Sequence, residues 1–340
     1  MTGAAGPGMH KLLGLIGLAL LTIVLIHLLV RRLGGWKRLF GWLGREIKRT
    51  WRAFVEPIAA RRRYRRRLRL LAKVLRDEES WDQAERALGA ASAIGPTVAP
   101  YAVVLAGRRI GVLVAGGTVL EPPVPWSADA VDPRLWWIDR GDVPGRSPIQ
   151  EMPLLTCLGT DSGGTTVVML DLLSGPRTLS VYGAEPTARA VVQAIAAQLD
   201  VRLPVGAVEV AEGIHPYHDG LPLSDAARRL GAWFVIGAGP LPVPLPTGRR
   251  MVCLGVARGS ARLLEAMPDQ TLRLHGGASW LRIDPLPLAR AVARSIRDVP
   301  PHDFGGGTAP DPVETDDLSD VPAPTAAVGV SAVSREATWS

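Results

Sequence analysis

The sequence predicts an α/β protein with one N-terminal transmembrane helix, basic amphipathic and stalk helices, a mixed-sheet α/β domain and a disordered tail. Three observations support this organisation. A long apolar run is followed at once by a dense run of arginine, strand-like and helix-like patterns then alternate, and both patterns stop after Val299. The predicted segments are a short external N-terminus (1–11), a transmembrane helix (12–30), basic juxtamembrane helices (31–97), a cytoplasmic α/β domain (98–299) and an acidic tail (300–340).

The apolar run at 12–30 predicts an uncleaved membrane anchor. It contains 19 residues without a charged side chain, and as a helix it would extend about 28 Å, close to the hydrocarbon thickness of a bilayer. A signal peptide would carry its positive charge before a shorter apolar core and a cleavage site after it. Residues 31–76 instead carry 17 Lys and Arg against two acids, a net charge of +15. Because positive flanks stay in the cytoplasm, we expect a single-pass plasma-membrane protein with its N-terminus outside.

Apolar residues in 36–55 recur at steps of three and four, with basic residues on the other face. This pattern predicts a basic amphipathic helix in the headgroup region, anchored by Trp36, Trp42 and Trp51 and ended by Pro57. The alternative is a helix that packs on the core of the soluble domain.

The block RRRYRRRLR, residues 61–69, is too polar to be buried. We expect it to contact anionic lipid headgroups, with binding of nucleic acid or another polyanion, or a purely topological role, as alternatives. An apolar stripe from Leu68 to Ala91 predicts one or two stalk helices that end at Gly95 and Pro96. The predicted lipid-contact residues are Arg31, Arg32, Lys37, Arg38, Arg45, Lys48, Arg49, Arg52, Arg61, Arg62, Arg63, Arg65, Arg66 and Arg67.

The distribution of charge argues against a nucleic-acid-binding body. The whole chain carries +7, and residues 1–30 and 31–76 account for +1 and +15, which leaves −9 for residues 77–340. An acidic body beside a basic membrane-proximal segment favours an electrostatic contact with the membrane. The expected partners are therefore anionic lipids and other membrane proteins.

The two cysteines, Cys157 and Cys253, lie in apolar strand-like runs and are predicted to be buried free thiols. They have no CxxC spacing, so no zinc ribbon is predicted. No metal and no cofactor is expected.

The predicted domain contains several strands, hairpins and helices. The three tryptophans Trp126, Trp136 and Trp137 lie in a loop predicted to be packed, with a capped pocket as the alternative. The predicted elements are a hairpin around Arg108 and Arg109, a hairpin around 161–164, strands at 177–183, 206–213, 233–239 and 251–257, a hairpin over 271–285, and helices at 186–199, 224–230 and 288–296, the second capped by Ser224.

Three motifs carry possible chemistry, and each has a simpler interpretation. TDSGG at 160–164 is similar to the nucleophile motif of chymotrypsin-like proteases, but no matching His motif accompanies it, so a turn is predicted. HPYHD at 215–219 offers two histidines and an acid, but Pro216 and Gly220 favour a polar loop over a metal site. The strand, turn and helix at 179–199 have the layout of a phosphate-binding loop without its Lys or its later glycine.

Segments 121–126 (EPPVPW), 136–144 (WWIDRGDVP) and 153–199 resemble a module of large actinobacterial membrane proteins, where it precedes LysM or transcriptional-activator-type domains. The module is distantly similar to degenerate modules of type VII secretion and DNA-translocase ATPases. The resemblance covers roughly 120–200 and implies neither an activity nor catalytic residues.

These observations predict a non-enzymatic interaction or scaffold module on the cytoplasmic face of a bacterial membrane, with no catalytic residue. The alternative is a degenerate nucleotide- or anion-binding domain without hydrolysis, which would use Gly183 and Thr187 at the helix N-terminus.

Overall fold

The computed structural model describes residues 7–32, 36–95, 97–115, 121–146, 152–216, 218–241, 244–275 and 281–302. Within its first two helices, the side chains of 7–13, 26, 29–32 and 36–55 lie outside the described part. So does the predicted acidic tail from residue 303 onward. The chain forms two compact units, Met1–Leu70 and Leu71–Ser340.

The apolar run lies in helix α1, Pro7–Arg32. Large apolar side chains are exposed along this helix, namely Leu15, Ile16, Leu18, Leu20, Leu21, Ile23, Val24, Leu25 and Leu28. Among the side chains that the structure describes, which in α1 are those of 14–25, 27 and 28, no helix is long and apolar enough to cross a membrane.

Helix α2, Trp36–Arg76, corrects one prediction, because it continues through Pro57 and does not end there. A proline inside a helix removes one N–H donor and costs about 3 kcal/mol relative to alanine. Propagation of a helix is cooperative, and the residues that follow Pro57 are mostly Ala, Arg and Leu, which favour helix. The favourable residues that follow Pro57 therefore outweigh one unfavourable position.

The larger unit combines helices with one large sheet. Its helices are α3 (Glu78–Ser92), α4 (Glu185–Arg202), α5 (Leu223–Ala226) and α6 (Leu288–Ser295). Its strands are β1 (Ala99–Ala106), β2 (Arg109–Ala115), β3 (Ser127–Ala128), β4 (Leu135–Asp139), β5 (Leu155–Asp161), β6 (Val167–Asp171), β7 (Thr178–Gly183), β8 (Val208–Val210), β9 (Phe234–Ala238), β10 (Arg250–Leu254), β11 (Ala261–Ala266), β12 (Leu272–Leu274) and β13 (Arg282–Asp284).

The 13 strands of the described residues form one mixed sheet, with the order β3-β4-β2-β1-β6-β5-β13-β12-β11-β7-β10-β9-β8. The strands β11, β7, β10, β9 and β8 are parallel to one another, and the remaining pairs are antiparallel. The predicted mixed-sheet α/β class is therefore confirmed. So are the three hairpins, which correspond to β1–β2, β5–β6 and β12–β13.

Three local predictions need correction. The tryptophan-rich loop contains a strand, β4, in which Trp136 is buried, so its packing is as predicted but its conformation is not. Strand β11 is absent from the predicted elements, because its sequence, ARLLEA, consists of residues that favour helices. Helix α5 is a single turn that follows Pro222, and Ser224 lies inside it and not at its cap.

Helix α4 packs its apolar face into the core. Its face with Val191, Val192 and Ile195 is buried in the same cluster as Val181 of β7 and Val252 of β10. Further along α4, Gln198 is buried and exchanges hydrogen bonds with the main chain of Cys157, at 2.8 and 3.0 Å. The Cys157 position adjoins a β-bulge in β5, where the strand register shifts, so a side-chain amide satisfies backbone groups that the ladder leaves there.

The C-terminal end of α4 carries a buried ion network. The Arg202 guanidinium donates to Glu85 Oε1 of α3 at 2.6 Å and to the Leu155 carbonyl of β5 at 2.6 Å. It also lies 4.1 Å from the centroid of the Trp81 ring. Only 1% of the Arg202 side chain and 4% of the Glu85 side chain are exposed. His302 completes the network, because its main-chain N–H donates to the Arg202 carbonyl and its Nδ1 lies 3.6 Å from Glu85 Oε1.

The turn between β5 and β6 is built on Asp161. Its carboxylate accepts hydrogen bonds from the main-chain N–H groups of Gly163, Thr165 and Thr166, at 2.7 to 3.0 Å. Burial raises the pKa of this carboxyl, but the N–H donors lower it more, so its pKa lies below the ordinary value. The side chain therefore acts as the acceptor that closes the turn.

Asp161→Ala is expected to lower the free energy of unfolding by about 1–3 kcal/mol at pH 7, because three N–H groups lose a charged acceptor. A depressed folded pKa contributes stability above the unfolded value, about 3.9, and this contribution is lost as the pH falls further. Urea denaturation of the parent chain and of Asp161→Ala should therefore show a difference in the free energy of unfolding that becomes smaller below about pH 4. Asp219→Ala, at an exposed aspartate, serves as the control. A difference that is constant from about pH 7 to about pH 3 would contradict this role.

Candidate functional site

The described part of the arginine block lies on α2 and faces solvent. Tyr64 is half-buried among six exposed arginines. At about 100° per residue, these arginines cover roughly 200° of the helix circumference. They are Arg61, Arg62, Arg63, Arg65, Arg66 and Arg69, and the predicted contact residue Arg67 is half-buried.

The other predicted lipid-contact residues lie on helical backbone, but their side chains are outside the described part. This group comprises Arg31, Arg32, Lys37, Arg38, Arg45, Lys48, Arg49 and Arg52, with the predicted anchors Trp36, Trp42 and Trp51.

The predicted anion-binding residues Gly183 and Thr187 lie at the start of α4. Gly183 has a φ of +106°, and a Cβ built on it would lie 2.2 Å from the Ala266 carbonyl oxygen. The next N–H, that of Ala184, donates to the same oxygen. This glycine therefore allows β7 and β11 to approach closely, a role that the sequence interpretation did not assign to it.

The first turn of α4 offers little to a phosphate. Pro186 has no N–H, and Glu185 places a carboxylate there that pairs with Arg189 at 2.9 Å. A carboxylate at this position already interacts with the positive end of the helix dipole.

The TDSGG motif covers the end of β5 and the turn after it, and the described residues of the HPYHD motif lie in a loop, as predicted. Ser162 is exposed in the turn that Asp161 closes. His215 and His218 are exposed and line a cleft of about 530 Å³, together with Glu209 and Arg229, which form an ion pair at 2.9 Å. Within the described ranges, no group of three His, Cys, Asp or Glu side chains is placed to hold a metal ion.

Both cysteines are buried free thiols, as predicted. Burial raises the pKa of the Cys157 thiol to about 12 and that of Cys253 to about 11. Since the thiolate is the reactive form, neither residue has the environment of a nucleophile.

A second cleft, which we call the Arg262 cleft, has a volume of about 430 Å³. It lies where β11 begins, at the opposite end of that strand from Ala266 and Gly183. Its lining residues come from β1, β2, the β6–β7 connection, β11, β12 and the residue after β12: Ala99, Pro100, Tyr101, Ala115, Ser174, Gly175, Pro176, Ala261, Arg262, Leu263, Leu274 and His275.

Arg262 is the basic group of this cleft whose position is best fixed. Its Nη1 donates to the Asp171 carbonyl at 2.7 Å, and its Nη2 donates to the Ser174 carbonyl and hydroxyl at 2.9 and 3.1 Å. The guanidinium lies 5.6 Å from the centroid of the Tyr101 ring. All of these acceptors are neutral, and burial lowers the pKa of Arg262, so a charge that is partly desolvated lies beside the cleft.

His275 lies at the rim and makes two contacts through one nitrogen. Its Nε2 is 2.9 Å from Glu265 Oε2 and 3.0 Å from the Tyr182 hydroxyl. A proton relay through an imidazole requires the two ring nitrogens to engage different groups. Burial and the nearby Glu265 carboxylate raise the pKa of Tyr182, so its phenol stays neutral. This cluster is therefore a polar contact between strands and lacks the geometry of a catalytic triad.

Sequence reasoning did not find Tyr101, Arg262 or His275. They come from segments that are distant in the chain, and β11 itself is missing from the predicted elements. No local signal singles out Arg262, because other arginines of the domain, such as Arg189 and Arg290, are also flanked by small or apolar residues.

No family model matches the chain, and neither a curated protein nor a solved structure matches it.

Proposed function

We propose that this protein is a membrane-tethered, non-enzymatic interaction module that presents its α/β domain at the cytoplasmic face of a bacterial plasma membrane. One observation carries the proposal: six arginines between 61 and 69 on α2 are exposed over roughly 200° of the helix circumference. The exposed apolar side chains of α1 and the uncharged run at 12–30 support a membrane anchor N-terminal to this arginine block. In this proposal, other membrane proteins are the partners of the α/β domain.

The chemistry of the arginine block supports anionic lipid as its ligand. Each basic residue near an anionic membrane surface contributes about 1 kcal/mol, and guanidinium groups bind phosphate oxygens in pairs. Because the attraction is electrostatic, it weakens steeply as salt shortens the Debye length.

Several features of the larger unit support binding over catalysis. The two thiols have raised pKa values, the Tyr182 phenol stays neutral, and His275 uses one nitrogen for both neighbours. The alternative, a degenerate nucleotide- or anion-binding domain at Gly183 and Thr187, is disfavoured by Glu185 and Pro186 in the same turn.

The test compares a chain that lacks residues 12–30 with a variant of it in which six arginines of α2 become glutamine. On vesicles that contain anionic lipid, the parent chain should bind, and about 0.5 M salt should release it. The variant with Gln at 61, 62, 63, 65, 66 and 69 should bind at least about a hundredfold more weakly. Both chains must first show the same melting temperature.

The matched control removes the same charge elsewhere. Six exposed arginines of the larger unit are replaced by glutamine, namely Arg108, Arg134, Arg228, Arg258, Arg290 and Arg297. This control should bind anionic vesicles as the parent does. An equal loss of vesicle affinity in the α2 variant and in this control would mean that net charge alone drives binding. Recovery of the intact chain in the soluble fraction after cell lysis would refute the anchor.

A further inference from the structure

We propose that the Arg262 cleft binds a small amphipathic anion: a molecule with a compact apolar body and one carboxylate or comparable acid group. The inference is independent of the membrane contact proposed above, because the cleft lies wholly in the Leu71–Ser340 unit. Its basis is a cationic group fixed beside an apolar-lined space.

The size and the lining of the cleft suit such a ligand. A volume of about 430 Å³ lies in the range of small-molecule sites, which are mostly apolar with a few fixed polar groups. Here the apolar lining comes from small and aliphatic residues such as Pro100, Leu263 and Leu274. The polar lining groups come from Tyr101, Arg262, His275 and Ser174.

The guanidinium is held in place before any ligand arrives. Gly175 has a φ of +70°, and a Cβ built on it would lie 2.8 Å from Arg262 Nη2. The absence of a side chain at Gly175 therefore leaves the space that the guanidinium occupies. With three hydrogen bonds to the 171–174 backbone and to Ser174, the side chain has little rotamer freedom left to lose on binding.

The charges around the cleft favour an anion. Asp171 is close to Arg262, but its carboxylate accepts hydrogen bonds from the N–H groups of Leu154, Leu173 and Ser174. Glu265 contacts the His275 imidazole and does not line the cleft. The Arg262 charge thus lies beside the cleft without a carboxylate at hydrogen-bond distance among the described residues. A partly buried charge of this kind attracts an opposite charge more strongly than an exposed one.

The test uses two probes of one shape that differ in charge, naphthalene-2-carboxylate and naphthalene-2-carboxamide. Both are titrated calorimetrically into the full chain in a non-ionic detergent, with detergent alone as the blank. The carboxylate should bind at least tenfold more tightly than the carboxamide. Inorganic phosphate, which lacks an apolar body, should not displace it at equal concentration.

Two variants locate the binding. Ala261→Phe places a ring in the cleft at the start of β11 and should weaken carboxylate binding at least tenfold. Ala128→Phe, at an exposed strand position outside the cleft, should leave the affinity unchanged. Arg262→Gln should reduce the preference for carboxylate over carboxamide to less than threefold.

Arg262 also supports the 171–174 loop, so its replacement could destabilise the fold, and the melting temperature of each variant is therefore measured first. If Arg262→Gln does not fold, the comparison of Ala261→Phe with Ala128→Phe still tests the proposal. Equal affinity for the two probes would overturn the proposal. So would carboxylate binding that Ala261→Phe leaves unchanged, or displacement by phosphate at equal concentration.

Discussion

Arg202→Met is expected to lower the free energy of unfolding by about 3–5 kcal/mol, because it leaves the buried Glu85 carboxylate without its partner. The 2.6 Å contact between Arg202 and Glu85 is almost fully shielded from water. The same substitution removes the donor to the Leu155 carbonyl and the cation that lies on the Trp81 ring. Urea denaturation of the full chain, followed by tryptophan fluorescence, measures the effect.

A double variant separates the effect of the unpaired charge from the effect of lost packing. Replacing both charges, as in Arg202→Met with Glu85→Leu, removes the unpaired carboxylate and should recover most of the loss. Burial lowers the pKa of Arg202, and the Glu85 carboxylate, which raises it, opposes that effect.

The exposed pair Arg282 and Asp269 provides the control. Arg282 Nη1 lies 3.2 Å from Asp269 Oδ2, and the two side chains are 58% and 53% exposed. Arg282→Met should therefore lower the free energy of unfolding by less than about 1 kcal/mol. If Arg202→Met were as mild as Arg282→Met, the network would not be a determinant of stability.

Gly183→Ala is expected to lower the free energy of unfolding by about 2–4 kcal/mol, the sum of a conformational and a packing cost. The positive φ by itself costs an L-residue about 1–2 kcal/mol. The added methyl would also lie 2.2 Å from the Ala266 carbonyl oxygen, and the backbone would have to shift to relieve that contact. Thermal and urea denaturation of the full chain measure the loss.

Gly206→Ala is the matched control, because Gly206 has a φ of +86° but, its chain neighbours aside, no heavy atom of the described residues lies within 4 Å of the place that an added methyl would take. It should show only the conformational cost, about 1–2 kcal/mol. The difference between the two variants measures the close approach of β7 and β11. Equal melting temperatures for the two variants would mean that Gly183 has no packing role. The ligand-binding alternative at the start of α4 would then be favoured.

Much of the secondary structure of the larger unit could be predicted, because the residues that determine it are close together in the chain. Helix α4 has apolar residues at helical spacing after Pro186, and the β1–β2 and β5–β6 hairpins have apolar runs around short turns. Buried positions of the two cysteines follow from the apolar strands that contain them. In each case the residues that decide the structure are near neighbours in the chain.

Other features depend on partners that are distant in the chain. β6 and β7 are consecutive, yet β5, β13, β12 and β11 lie between them and β6 pairs with β5 and β1. Strand β11 forms because β7 and β12 pair with it on both sides, which overrides the helix preference of its residues. No pattern in a short stretch contains that information.

The amino-acid sequence is sufficient for the α/β class, the hairpins and the core face of α4, because hydrophobic period and charge act over a few residues. The sheet order, the burial of Arg202 against Glu85 and the meeting of Tyr101, Arg262 and His275 at one cleft arise only in the folded chain. These features depend on contacts between residues that are distant in the chain, 117 positions apart for Arg202 and Glu85, and their geometry is fixed only when the whole sheet has formed.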